Sequence, residues 1–111
     1  MTDSWKRWET QDRFGNVIYL SHERWNHIVD EINHPEMENY EDYIKLTLQK
    51  GHRKQEPLNP RKYRYYEFFE DLPGEVNMIV AIVLFGYDVN EHGETISNNF
   101  LATAFFKHVR K

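Results

Sequence analysis

The hydrophobic pattern is dominated by Met78-Ile79-Val80-Ala81-Ile82-Val83-Leu84-Phe85, eight apolar residues without a polar break. A membrane-spanning helix needs about 20 such residues. The run is β-branched and follows a Pro73-Gly74 turn, which predicts a buried central strand. Such a strand must be covered on both faces. Upstream, Val17-Ile18-Tyr19-Leu20 reads as a short strand and Ser21 as a helix N-cap. Trp25, Ile28, Val29 and Ile32 then recur at helical spacing, and Asn33-His34-Pro35 ends the helix. A second helix is expected from about Glu38 to Gln49, burying Tyr40, Tyr43, Ile44, Thr47 and Leu48, with Gly51 at its C-terminal cap. A short edge strand near Arg53 to Glu56 precedes a proline-containing turn.

From Tyr63 to Phe69 the chain alternates. Tyr63, Tyr65, Glu67 and Phe69 take one face, and Arg64, Tyr66 and Phe68 the other. Tyr87 to Asn98 reads as a polar loop around Gly93, and Phe100 to Phe106 as the last strand. Strict alternation there puts Leu101, Thr103, Phe105 and Lys107 together, opposite Phe100, Ala102, Ala104, Phe106 and His108. The order strand, helix, helix, then three or four strands predicts an α+β domain over residues 14–111, with both helices on one face of a curved antiparallel sheet. Residues 1–13 are polar apart from Trp5 and Trp8, and form either an arm or a lid pinned by those tryptophans.

Composition narrows the function classes. The chain has 111 residues, enough for one domain, and its 40% apolar and 15% aromatic content supports a packed core. It has no cysteine, which removes disulfides and thiolate metal sites from consideration. The first residues lack the apolar segment of a signal peptide, so a cytoplasmic location with no membrane contact is expected. The net charge of −4 argues against a generic nucleic-acid binder. Its distribution argues the other way. Lys50, Arg53, Lys54, Arg61, Lys62 and Arg64 face only Glu56 in their segment, and Lys107, Arg110 and Lys111 cluster at the end. Asp30, Glu31, Glu36, Glu38, Glu41 and Asp42 concentrate the negative charge. One surface can thus attract phosphate while the whole stays acidic; ordinary solvated surface is the plainer reading.

Several motifs fail on spacing. His22-Glu23 with His27 is one residue too long for the zinc-protease pattern, and positions five apart lie about 140° around a helix. Asp88, Asn90 and Gly93 begin a calcium loop, but His92 and Asn99 stand where ligands are required. There is no phosphate loop or dinucleotide glycine pattern, and no metal or cofactor is expected. Ser21, Ser97 and Thr103 lack a nucleophile signature. His27, His34, Arg61-Lys62-Tyr63-Arg64 and the last strand remain as candidate chemistry.

A strand ending at Leu20, then Trp25, His27-Ile28 and His34-Pro35-Glu36-Met37, resembles a stretch found in a group of small bacterial and phage proteins. A basic proline-containing segment, the strand Lys62 to Tyr66 with its paired tyrosines, and a final strand with Thr103-Ala104 continue the resemblance over residues 17–107. Those proteins are similar to the barnase–EndoU–colicin–RelE class of nucleases. The resemblance implies two N-terminal helices over a four-stranded antiparallel sheet. It also implies metal-independent RNA cleavage, by 2′-hydroxyl attack giving a 2′,3′-cyclic phosphate. Such a reaction needs a base, an acid and cations around the phosphate. On that reading His27 is the base or acid, and Arg61 or Arg64 clamps the phosphate. Tyr65 or Tyr66 stacks a base or donates a proton, and Thr103 and Lys107 complete the site, with Lys62 and His34 binding substrate. The acidic charge suits free tRNA better than ribosome-bound message. A toxin restrained by a cognate antitoxin is the first expectation. A non-enzymatic interaction module, antitoxin-like or phage accessory, is the second, and a small-ligand binder a distant third. Convergence of His27 and Arg64 on one groove distinguishes the first from the second.

Overall fold

The computed structural model describes residues 4–110. The elements run β1 (Lys6–Gln11), β2 (Val17–Ser21), α1 (His22–Ile28), a 3₁₀ turn (Pro35–Tyr40), α2 (Glu41–Lys50), β3 (His52–Glu56), β4 (Asn59–Phe68), β5 (Met78–Leu84), β6 (Tyr87–Val89), β7 (Thr95–Ser97) and β8 (Phe100–Lys107). Six strands form one curled sheet in the order β1-β2-β8-β5-β4-β3, and β6 and β7 form a separate ribbon. Neighbours in the large sheet are antiparallel except β2 and β8, which run parallel and meet at Tyr19 and Phe100.

This corrects the expected fold. The chain is 44% strand and 21% helix, and two strands precede the first helix, so two N-terminal helices on a four-stranded barnase- or RelE-like sheet do not describe it. The antiparallel strands marked by the pattern are present as β3, β4, β5 and β8. The difference lies at the other end, where residues 6–11 of the expected arm are an edge strand. Trp8 is its anchor: the indole Nε1 donates to Glu41 at 2.7 Å, and Arg7 pairs with the same carboxylate. The β1–β2 turn is held by Asp12, whose carboxylate accepts the backbone amides of Phe14 at 2.9 Å and Asn16 at 2.8 Å, with Gly15 at φ +88°.

The helices are shorter than their periodicity implied. Ser21 caps α1 as expected, its hydroxyl accepting the Arg24 amide at 3.0 Å. The helix stops at Ile28, because Asp30 captures the Ile32 amide at 3.1 Å and Asn33 donates to the His27 carbonyl at 2.8 Å. Ile32 is left 86% exposed. In α2, Ile44, Thr47 and Leu48 are buried as the stripe predicted. Gly51 follows in extended conformation. Glycine is required there for space, since a Cβ would stand 2.4 Å from the Thr47 carbonyl oxygen and 2.6 Å from that of Tyr66.

The main core lies between the helices and one face of the sheet, with Ile18, Leu20, Ile28, Ile44, Leu48 and Ile79 fully buried. α2 touches both β1 and β4. In a flat sheet those strands would lie about 19 Å apart, so the sheet must curl around the helix to bring them to it. β5 is buried on both faces: Ile79, Ala81 and Val83 join the main core, while Met78, Val80 and Ile82 form a smaller cluster beneath Tyr66, Ala102 and Phe105. The expected loop at 87–98 carries the β6–β7 ribbon instead. Asn90 builds its turn by accepting the His92 and Glu94 amides, each at 2.9 Å, with Gly93 at φ +79°. Among the described residues, no helix is long and apolar enough to cross a membrane.

Candidate nucleic-acid interface

Residues paired across a sheet share a face. The register therefore defines the surface turned away from the helices as rows across the strands. One row runs Lys54, Arg64, Ile82, Thr103 from β3 to β8. The next runs His52, Tyr66, Val80, Phe105, and the one beyond it Phe68, Met78, Lys107. On the other side of the first row lie Lys62, Leu84, Phe100 and Tyr19, in strand order from β4 to β2. The floor is aliphatic and buried, and the flanks are basic and aromatic.

A bulge on β8 assembles this face. Ile82 pairs with Thr103 but Val83 with Leu101, so Ala102 is the extra residue. A one-residue insertion reverses the facing of everything on one side of it. Phe100 is thereby brought onto the same face as Thr103, Phe105 and Lys107, while Leu101 and Ala104 are buried in the main core. Strict alternation had placed Phe100 on the opposite face.

Lys62, Arg64 and Thr103 line one cavity of about 420 Å³ over Ile82 and Leu84. Arg64 and Thr103 stand two strand spacings apart, about 10 Å between backbones, a gap that a phosphate and the arginine side chain can fill. Arg64 Nη2 lies 3.3 Å from Glu56 Oε1, which holds the guanidinium at the cavity wall. Tyr66 stacks against His52, ring centroids 5.5 Å apart. On the other flank His34 lies against Phe105 at 5.6 Å. His34 reaches this face because β2 pairs with β8 only at its start, so the chain after α1 passes the free edge of β8. Its Nδ1 is 3.4 Å from Glu36 Oε2. Lys54, Lys62, Arg64 and Lys107 outnumber Glu56 and the Glu36 that pairs with His34, so the face keeps a positive charge.

The structure separates the other sequence candidates from this group. His27 projects from α1, whose inward residues Trp25 and Ile28 pack on the opposite face, and so it does not converge with Arg64. The convergence expected of a nuclease therefore fails for His27, which counts toward the interaction module and leaves any RNA chemistry to other residues. Arg61 also points to that opposite face, where its Nε donates to the Phe85 carbonyl at 2.8 Å. Tyr65 is fully buried. Its hydroxyl donates to Asp12, and Arg53 donates to it at 3.4 Å. Burial, and then the bond to Asp12, push the phenol well above its ordinary pKa, so it is a poor proton donor. Burial would by itself raise Asp12, but hydrogen bonds from Tyr65, Asn16 and the Phe14 amide outweigh it and leave this carboxyl below its usual value. Arg53 is stacked over Phe14 at 4.2 Å and Tyr63 at 4.6 Å, so this cluster is a tie between the two ends of the curled sheet.

The sequence counts Lys54 among its basic residues and groups Phe105 with Thr103, but assigns neither of them, nor His52, to the site. His52 and Lys54 follow from the β3–β4 hairpin register, whereas Phe105 meets His34 only through the path of the chain past β8. Among the described residues, no group of three or more His, Asp or Glu side chains is arranged to hold a metal ion. No family model, curated protein or solved structure matches the chain.

Proposed function

We propose that the protein is an endoribonuclease that needs no metal, acting on RNA held against the open face of the sheet. The observation that carries this reading is the meeting of Lys62, Arg64, Thr103 and Phe105 around one cavity, with Tyr66 in the same row as Phe105 and His34 packed on Phe105. Cations and a hydroxyl donor around a phosphate oxygen stabilise the negative charge that grows in a pentavalent transition state. Arg64 presents a planar fork to the phosphate and Lys62 a point charge. Thr103 donates to a non-bridging oxygen. The 2′-hydroxyl attacks the adjacent phosphorus and loses its proton to His34. The P–O5′ bond breaks, and the departing oxygen takes the proton of the Tyr66 hydroxyl; solvent then returns a proton to Tyr66 and removes the one on His34. The products are a 2′,3′-cyclic phosphate and a free 5′-hydroxyl. Tyr66 and Phe105 also offer ring faces for bases, a means of holding single-stranded segments. An acidic inhibitor protein is the partner chemistry that this basic face suits.

The exposed ring of Phe68, which shares this face with the partly buried Tyr66 and Phe105, favours a second reading, in which the same face docks a protein without catalysis. The test incubates the protein with total tRNA and with unstructured RNA in EDTA, beside Arg64→Ala, Thr103→Val and His34→Ala. Cleavage with cyclic-phosphate ends, lost in all three variants, is the expected result. RNA binding without cleavage would reduce the function to a binding platform. Neither binding nor cleavage by folded protein would overturn the RNA reading in favour of the docking module.

A further inference from the structure

A second cavity, about 490 Å³, opens on the same side of the sheet beside the start of β8. Three aromatic rings line it. Trp5 stands edge-on to Tyr19, centroids 5.2 Å apart and planes at 86°, and Tyr19 meets Phe100 at 6.1 Å. Two cations lie on these rings: Lys6 over Trp5 at 5.3 Å and over Tyr19 at 5.1 Å, and Arg24 over Phe100 at 5.9 Å. Trp5 is still 53% exposed, so its ring is accessible to a ligand. Tyr19 is fixed in place, its hydroxyl donating to Asn98 Oδ1 at 2.7 Å. Glu23 adds an acceptor at the wall.

We propose that this pocket binds a nucleobase of the RNA strand whose phosphates lie at Lys62 and Arg64. The inference rests on the RNA reading above and names where the strand continues. The pocket and the phosphate cavity share one row of the sheet, Tyr19, Phe100, Leu84, Lys62, three strand spacings or about 14 Å in length. A short stretch of unpaired RNA spans that distance. Ring faces stack any base, Arg24 at the wall can neutralise a neighbouring phosphate, and Glu23 can accept from an exocyclic amine, while Lys6 is already paired with Glu9 at 3.5 Å. An aliphatic ligand would use the rings but not the cations. Double-stranded RNA keeps its bases stacked on one another and offers no free base face to these rings, so the substrate class is single-stranded or looped RNA.

The test uses the full chain, a fluorescein-labelled oligocytidylate decamer and an abasic decamer with the same phosphates, read by anisotropy. Both are built with 2′-O-methyl sugars so that no cleavage occurs. The wild type is expected to prefer the cytidylate. Trp5→Ala should weaken cytidylate binding between about fivefold and a hundredfold, the range for one lost base stack, and leave the abasic oligomer unchanged. Trp5→Phe should restore most of the loss, which separates stacking from misfolding. Arg64→Ala should weaken both oligomers. If Arg64→Ala weakens both but Trp5→Ala leaves the cytidylate preference intact, the base pocket is wrong and the RNA face stands. If the wild type binds neither oligomer, the RNA face falls and the pocket with it.

Discussion

Tyr65 and Tyr66 are adjacent on β4 and face opposite sides of the sheet. Tyr65 enters the main core, where its hydroxyl is committed to Asp12 and Arg53 and its ring is fully buried. Tyr66 lies over a thinner cluster, against His52, with Arg64 and Lys62 beside it on the same face. The two residues have the same chemistry in isolation. What separates them is which layer covers the strand: helices on one side, open solvent on the other. One face uses aromatic and charged groups to close the fold. The other holds the same kinds of group at a surface that, among the described residues, no helix covers, although Val109 and His34 pack on parts of it.

This contrast is broken most severely at Tyr65. Tyr65→Ala is expected to lose about 3–5 kcal/mol of unfolding free energy in urea, the usual cost of deleting a buried ring. Tyr66→Ala should cost much less stability and should lower RNA affinity instead. Equal losses of stability from both would erase the distinction between the faces. Gly51→Ala comes next. Its Cβ would overlap two backbone oxygens, and overpacking of this kind costs about 1–3 kcal/mol or more, read from the same urea curves. Arg64→Ala should then weaken RNA binding by about tenfold, or ~1.4 kcal/mol, while unfolding changes by no more than about 0.5 kcal/mol. The smallest effect concerns pH. Asp12 is held below its usual pKa in the folded state, so its contribution to stability is present above about pH 4 and is lost as pH falls through the folded value. Asp12→Asn should flatten the acid limb of a stability–pH profile and leave the pH dependence of RNA binding unaltered.

The two faces were not equally legible in the sequence. The eight-residue apolar run could only be an interior strand, and the β4 alternation gave the correct sides for Tyr63, Tyr65, Arg64 and Tyr66, because period-two burial is written directly in residue type. β1 was hidden because Lys6–Gln11 carries a single large apolar residue, Trp8, and is itself held by Glu41 on a helix distant in sequence. Ile32 looked like the last rung of a helix, but side-chain bonds from Asp30 and Asn33 ended that helix a turn early. The Ala102 bulge has no signature in residue type, so Phe100 could not be assigned to the face that holds Thr103. Alternation put Arg64 with Tyr66 and Thr103 with Lys107, each pair on one face of its own strand, but only the register joins the two strands' faces; His27, Arg61 and Tyr65 took their roles from the resemblance, which does not report which layer a side chain enters.

The most direct measurement is RNA affinity as a function of salt for the wild type and a Lys62→Ala/Arg64→Ala double variant, with thermal unfolding followed in parallel. Each phosphate contact on single-stranded nucleic acid contributes about 0.7 to the slope of log affinity against log salt. The open-face account predicts that the double variant binds more weakly, with a slope shallower by about 1.4, and unfolds at the wild-type temperature. An unchanged slope in a folded double variant would show that the phosphate lies elsewhere, and would contradict the assignment of this face.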